Sequence, residues 1–248
     1  MATLFAKETR RFLKVIIQTV LTPVITALLY LLVFNQVLQG RIQPYPGVSY
    51  SAFLVPGLIM MAMLQNSFAN CSSSIIQSKM TGNLVFVLLA PISSVEFYCA
   101  FVGAAIIRGL VVGLGVWIIS ILLVEVPLAH PLWALWFAII GGWILGGLGL
   151  LAGVWADNFD RLAVFQNFVI LPLSFWSGVF YSLDNLPIFW QYVSAFNPFI
   201  YLMDGFRYGF LGISATNLWL AAGISLLIAL VVSIIALYVL GQGYKLRN

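Results

Sequence analysis

Charge is what this sequence has least of. Of its 248 residues only 7% are Asp, Glu, Lys or Arg, against roughly 25% in a soluble domain, while 62% are hydrophobic and 15% aromatic. A chain of this size cannot hide so much apolar surface in a water-soluble globule, so lipid must act as solvent for much of it. Histidine is nearly absent too: His130 stands alone in a short outer loop, which excludes an intramembrane Ser–His pair or a multi-histidine metal site. The two cysteines, Cys71 and Cys99, form no disulfide framework and read as free thiols packing like small residues. No Gly-Lys dipeptide occurs, so there is no phosphate loop of the GxxxxGK[ST] kind and any ATP belongs to another chain. Asp157 and Asp160 lie at a span boundary, as a solvated turn. No carboxylate falls in mid-span, which argues against ion- or proton-driven transport. No residue pattern points to catalysis.

What is there is a series of apolar stretches at 15–38, 51–76, 99–124, 132–155, 163–181 and 216–240. Each is about 20 residues or longer, enough to cross roughly 30 Å of hydrocarbon as a helix. They predict an all-α membrane protein with six transmembrane helices in a single domain over 15–248. Arg108 is the one charge inside them, about two and a half turns into the third, where its stem can reach toward a membrane face. Lys7, Arg10, Arg11, Lys14, Lys79, Arg161, Lys245 and Arg247 fall on one side, against Arg41 and Arg207 on the other. The positive-inside rule then puts both termini in the cytoplasm.

Three further segments stand out. Residues 1–14 are amphipathic, with Leu4, Phe5, Phe12 and Leu13 opposed to the basic residues, and predict an interfacial helix. Residues 188–212 are apolar but broken at Asn197-Pro198 and carry Asp204 and Arg207. They predict an outer re-entrant helical hairpin, its charges one turn apart and able to pair, either as a gate or as a structural salt bridge that stabilises the turn. Residues 81–91 hold only seven apolar residues before Pro91, too few to cross. They predict a two-turn cytoplasmic helix capped by Thr81 or Asn83, whose exposed apolar side suits either a partner protein or the lipid headgroup layer.

Polar faces recur at helical spacing: Gln18, Thr22 and Thr26; Asn66, Asn70 and Ser73; Gln166, Ser174 and Ser177. Uncharged polar groups in lipid need partners or water, so these faces point inward, either lining a pathway or bonding helix to helix. Gly109 and Gly113, and Gly142, Gly146, Gly149 and Gly153, mark close helix packing.

Several motifs taken together resemble the permease subunit of ABC-2 type transporters, the branch that includes drug, polysaccharide and nodulation-factor (lipo-oligosaccharide) exporters. They are Phe53-Leu54-Val55-Pro56-Gly57-Leu58, Leu88-Leu89-Ala90-Pro91-Ile92-Ser93, Ser177-Gly178-Val179-Phe180-Tyr181-Ser182 with Leu186-Pro187, and Asn197-Pro198 followed by Gly205-Phe206-Arg207-Tyr208-Gly209. The resemblance implies an exporter in the cytoplasmic (inner) membrane that moves an amphiphilic, lipid-linked or drug-like cargo outward. Its expected parts are a homodimer of permeases with two copies of a separate ABC ATPase that holds ATP and Mg, amid membrane lipids and without nucleic acid. No cofactor is expected on this chain. Thr81, Gly82, Asn83, Leu84, Val85, Phe86, Val87 and Leu88 would form the coupling helix; Val85 and Phe86 stand where relatives often carry acidic residues. The alternatives are a partner-free secondary transporter or channel, or a membrane scaffold.

Overall fold

The computed structural model describes residues 1–38 and 44–243; Arg41, Lys245 and Arg247, which entered the charge count, lie outside the described residues. The helices in chain order are α1 (Ala2–Leu13), α2 (Ile16–Leu38), α3 (Tyr50–Met80), α4 (Asn83–Leu89), α5 (Ser94–Ile121), α6 (Pro131–Trp155), α7 (Phe159–Phe165), α8 (Leu171–Phe175), α9 (Ile188–Ala195), α10 (Pro198–Leu211) and α11 (Leu218–Gln242). Five of them, α2, α3, α5, α6 and α11, contain runs long and apolar enough to cross a membrane. Among the described residues the structure is helical with no strand, as the long apolar stretches predict.

The stretch expected as the fifth span is built differently. α7 and α8 are joined by a π-turn over Gln166–Ile170, and regular helix stops at Phe175. Pro172 explains the widened turn: it has no N–H to give the Phe168 carbonyl and its ring crowds that oxygen. The composite runs from 159 to 175, about 26 Å at 1.5 Å per residue, shorter than the 163–181 stretch suggests.

α3 is the centre of the bundle, buried along nearly all its length against α2, α5, α6 and α10. Lipid offers no hydrophobic drive for helices to meet, so close approach of backbones must supply the packing. At Gly149 of α6 a Cβ would overlap the Phe68 carbonyl of α3, and at Gly209 of α10 it would strike the backbone of Ala134. These glycines are required by contact.

α1 buries Leu4, Glu8 and Phe12, four residues apart, whereas Leu13, expected on the apolar side, is exposed. Glu8 is fully buried. Its Oε2 accepts from Ser74 Oγ at 2.7 Å and Arg11 Nε at 3.2 Å, and Lys7 Nζ lies 3.4 Å from Oε1. Arg11 Nη2 donates to the Asn70 carbonyl at 2.6 Å. So α1 is bolted to α3 through a buried carboxylate, more than an interfacial helix requires.

Residues 188–212 break into α9 and α10 at Asn197-Pro198. Asn197 caps α10 by accepting from Phe199 N at 3.0 Å, while its Nδ2 donates to the carbonyls of Leu173 (2.9 Å) and Trp176 (3.1 Å) at the end of α8. The expected pairing of Asp204 with Arg207 does not occur. Asp204 accepts from Ser214 Oγ (2.7 Å), Thr216 Oγ1 (2.6 Å), Ala215 N (3.1 Å) and Thr216 N (2.9 Å), fastening the loop into α11. Arg207 Nη2 donates to the Gly178 carbonyl at 2.6 Å, and its guanidinium sits 3.8 Å from the Phe53 ring centroid. Each charge satisfies irregular backbone, which matters more in a dry site than reaching another charge. His130 is exposed as expected, but its ring stacks on Tyr208 (4.8 Å) and its backbone N–H donates to the Gly209 carbonyl at 2.7 Å. Cys71 and Cys99 are free thiols; Cys71 is buried and packs as expected, whereas Cys99 is exposed.

Gly149→Val should cost about 1–3 kcal/mol or more, because the obstructing atom is backbone and cannot turn aside. Gly223→Val, with nothing within 4 Å of its Cβ, should be neutral. Unfolding midpoints in detergent read both, and equal midpoints would remove the contact argument. The exchange Asp204→Arg with Arg207→Asp should be no better folded than either single change; recovery by the double variant would restore the ion pair.

Candidate functional site

Four-residue spacing puts Gln18, Thr22 and Thr26 on one face of α2, and α3 presents Gln65, Asn66 and Ser73 toward them. Together with Gln166, the first residue of the π-turn, they line a cleft of about 500 Å³. It runs from Arg11 and Ser73, on the side of the bundle where α3 leads into α4, to Leu58 and Tyr30, whose ring meets Phe180 at 5.4 Å. Val15, Pro23, Ala27 and Met61 give it apolar wall as well. Six of the nine residues expected on polar faces thus meet in one place.

The other three are helix contacts. Asn70 is fully buried and engaged by Arg11 through its carbonyl and, at 3.3 Å, its Oδ1. Ser174 Oγ donates to the Ile170 carbonyl at 2.7 Å and Ser177 Oγ to that of Ser174 at 2.6 Å, both buried. A regular helix would bring Ser177 nearly under Gln166; the π-turn advances the chain by one residue, about 100° of rotation, and Ser177 lies past the end of α8.

Arg108 does not reach for a membrane face. It lines the cleft, with Nη2 donating to Asn66 Oδ1 at 3.2 Å, while Asn66 Nδ2 donates to the Ala62 carbonyl at 3.0 Å. Among the described residues no carboxylate lines the cleft. Arg11 also borders it but is answered by Glu8. Arg11, Gln65 and Arg108 escaped the polar-face pattern; the isolation of Arg108 in an uncharged span was the one signal available.

α4 lies at the Arg11 side of the bundle, one turn beyond the end of α3. Its cap is Gly82, at φ 72°, with no side-chain capping bond. Thr81 instead closes α3, donating through Oγ1 to the Gln77 carbonyl at 2.9 Å, and Asn83 Nδ2 donates to Thr81 Oγ1 at 3.0 Å. This corrects the expectation that Thr81 or Asn83 caps the short helix: only glycine takes the left-handed turn without strain, and both side chains are spent on it. Helix ends at Leu89, ahead of Pro91. Leu84, 4% exposed, pins α4 to a cluster with Leu4, Cys71 and Phe101. Val85, Phe86 and Leu89 point away, Phe86 73% exposed. The side chains of Val87 and Leu88 lie outside the described residues. Ser93 then caps α5 in a reciprocal box with Glu96 (Glu96 N to Ser93 Oγ, 3.2 Å; Ser93 N to Glu96 Oε2, 3.0 Å), holding the far end of the α4 loop.

Residues 1–211 match the family described as ABC-2 type transporter. The chain is 39% identical over 238 residues to the inner membrane transport permease YadH of Escherichia coli K12, covering 96% of this chain and 91% of that one. It is 28% identical over 191 residues to nodulation protein J of Rhizobium leguminosarum bv. viciae, covering 76% and 72%. It is also 24% identical over 165 residues to YbhR of E. coli K12, named as a probable multidrug ABC transporter permease, covering 64% and 44%. The long apolar helices accord with these matches. The chain therefore belongs to the ABC-2 type transporter family, as a multi-pass permease component of an ABC transporter in the cytoplasmic membrane, a family that implies an ABC ATPase as partner.

Proposed function

We propose that this permease exports an amphiphilic, lipid-linked or drug-like cargo across the cytoplasmic membrane, driven by two copies of a separate ABC ATPase that carry the ATP and Mg. The observation that supports it best is the half-built cleft. Its lining comes from α1, α2, α3, α5 and Gln166, and it is partly open rather than enclosed. A second copy of the chain, set against α2, completes the enclosure. Much of α2 is free to take such a contact or lipid: Ile17, Leu21, Ile25, Leu29 and Val33 are all exposed.

Cargo with one polar and one apolar end suits a cleft that mixes Gln, Asn, Thr and Arg with Val, Pro, Ala, Leu and Met. The likeness to a relative named as a multidrug permease supports the drug-like end of that range. The termini stay in the cytoplasm, so α4 faces the ATPase. ATP-driven closure of the two ATPases pushes on α4, and Leu84 passes the movement into the cluster that carries α1, α3 and α5. Such a push shifts the permease only if the ATPase grips one arrangement better than the other. Asn197, Pro198, Asp204 and Arg207 hold the outer hairpin, with the two charged residues as separate anchors.

Phe86→Asp should abolish most ATP-dependent transport in reconstituted vesicles, by about tenfold or more, because a carboxylate entering an apolar ATPase cleft is left unpaired. Membrane insertion and the unfolding midpoint should stay unchanged, since Phe86 touches solvent. Undiminished transport by the variant would end the coupling role of α4. Transport by the permease alone, without ATPase or ATP, would end the exporter reading.

A further inference from the structure

The cleft holds one cation whose charge nothing in the described chain answers. Arg11 has Glu8 and the Asn70 carbonyl. Arg207, whose Nε is buried without a hydrogen-bond partner among the described residues, has the Gly178 carbonyl and the Phe53 ring and lies outside the cleft. Lys79 donates to the carbonyls of Val154 and Ala156 at the end of α6, and Arg161 pairs with Asp157. Arg108 bonds only the neutral Asn66 Oδ1, and its Nε is buried with no partner among the described residues. A guanidinium offers five N–H donors in a planar fork. An unpaired charge inside an apolar span is costly and marks function more often than packing.

We propose that Arg108, positioned by Asn66, binds an oxyanion, the phosphate or carboxylate headgroup of an anionic amphiphile whose apolar part lies along the same cleft. This rests on reading the cleft as the cargo path. Arg108 lines the same cleft as Ser73, Gln65, Gln166 and Gln18, neutral groups that can donate without competing for the charge. Arg11, already paired with Glu8, adds positive potential at the mouth without closing on an anion itself. The cleft is partly open, so a headgroup can enter with its chain trailing into lipid. Asn66 is fixed by its bond to the Ala62 carbonyl, which keeps its Oδ1 on Nη2 and the rest of the fork free.

Isothermal titration of the purified full chain in nanodiscs of uncharged phosphatidylcholine tests the site, with dihexanoyl phosphatidic acid as probe and dihexanoyl phosphatidylcholine and inorganic phosphate as comparisons. Phosphatidic acid should bind at least about tenfold tighter than the zwitterion. Arg108→Gln should weaken it about tenfold or more, and Arg108→Lys less, because the lysine keeps charge but loses the fork. Asn66→Asp supplies a carboxylate beside the guanidinium from within but gives up the Nδ2 donation to the Ala62 carbonyl; it should also lose about tenfold, and because the new ion pair offsets the lost bond its unfolding midpoint should stay near that of wild type, so a misfolded Arg108→Gln cannot mislead. Inorganic phosphate matching phosphatidic acid supports the site with a free oxyanion as occupant. No anion binding, or equal affinity in Arg108→Gln and Asn66→Asp to that of wild type, overturns it. The measurement needs no ATPase: binding without ATP-driven transport would sink the exporter reading alone, and transport without binding would sink this site alone.

Discussion

The bundle depends on backbone meeting backbone between α3 and α6. Gly149 lies against the Phe68 backbone with no side chain between, and Gly153 lies against the Ser72 backbone and the Ile75 Cβ. Packing of this kind replaces the hydrophobic drive that lipid does not supply. Once that side of α3 is locked, its other faces are assigned. Met63 and Ser67 go to α5 at Gly113 and Gly109. Asn70 and Ser73 are left to face Arg11 of α1, and Asn66 the cleft beside α2 and Arg108 of α5. The polar cleft is a result of the glycine contact on the opposite side of the same helix.

A second regularity concerns the charges. Lys79 answers the last carbonyls of α6, Arg207 the carbonyl at the turn after α8, and Asp204 the amides leading into α11. In each case the charge is set against backbone left open where a helix stops. A helix end inside lipid carries unmet N–H and C=O groups, and a charged side chain meets them more strongly than a neutral one. Few charges are needed because few helices are broken.

The features legible in the sequence were those with local causes. Uncharged stretches marked the long helices, Asn197-Pro198 marked the break between α9 and α10, and seven apolar residues ahead of Pro91 marked α4. The faces of Gln18, Thr22 and Thr26, and of Asn66 and Ser73, came from spacing alone and meet as periodicity says they should. What spacing could not show was long-range. Glu8 looks like one more surface charge on a basic helix until Ser74, 66 residues away, is set against it. Asp204 and Arg207, one turn apart, invite pairing; their partners lie 10–12 and 29 residues off. Thr81 has the side chain of a cap for α4, yet its hydroxyl closes α3.

The π-turn at Gln166–Ile170 separates what a side chain is from where it faces. A residue gained or lost within those five positions leaves every side chain of α8 the same and turns them all by about 100° relative to Gln166. Ser174 would leave its helix contact and a different residue would take its place. For a membrane helix that borders a cleft on one side and lipid on the other, length is therefore a variable as strong as composition: a one-residue change can exchange a wet surface for a greasy one without replacing any amino acid.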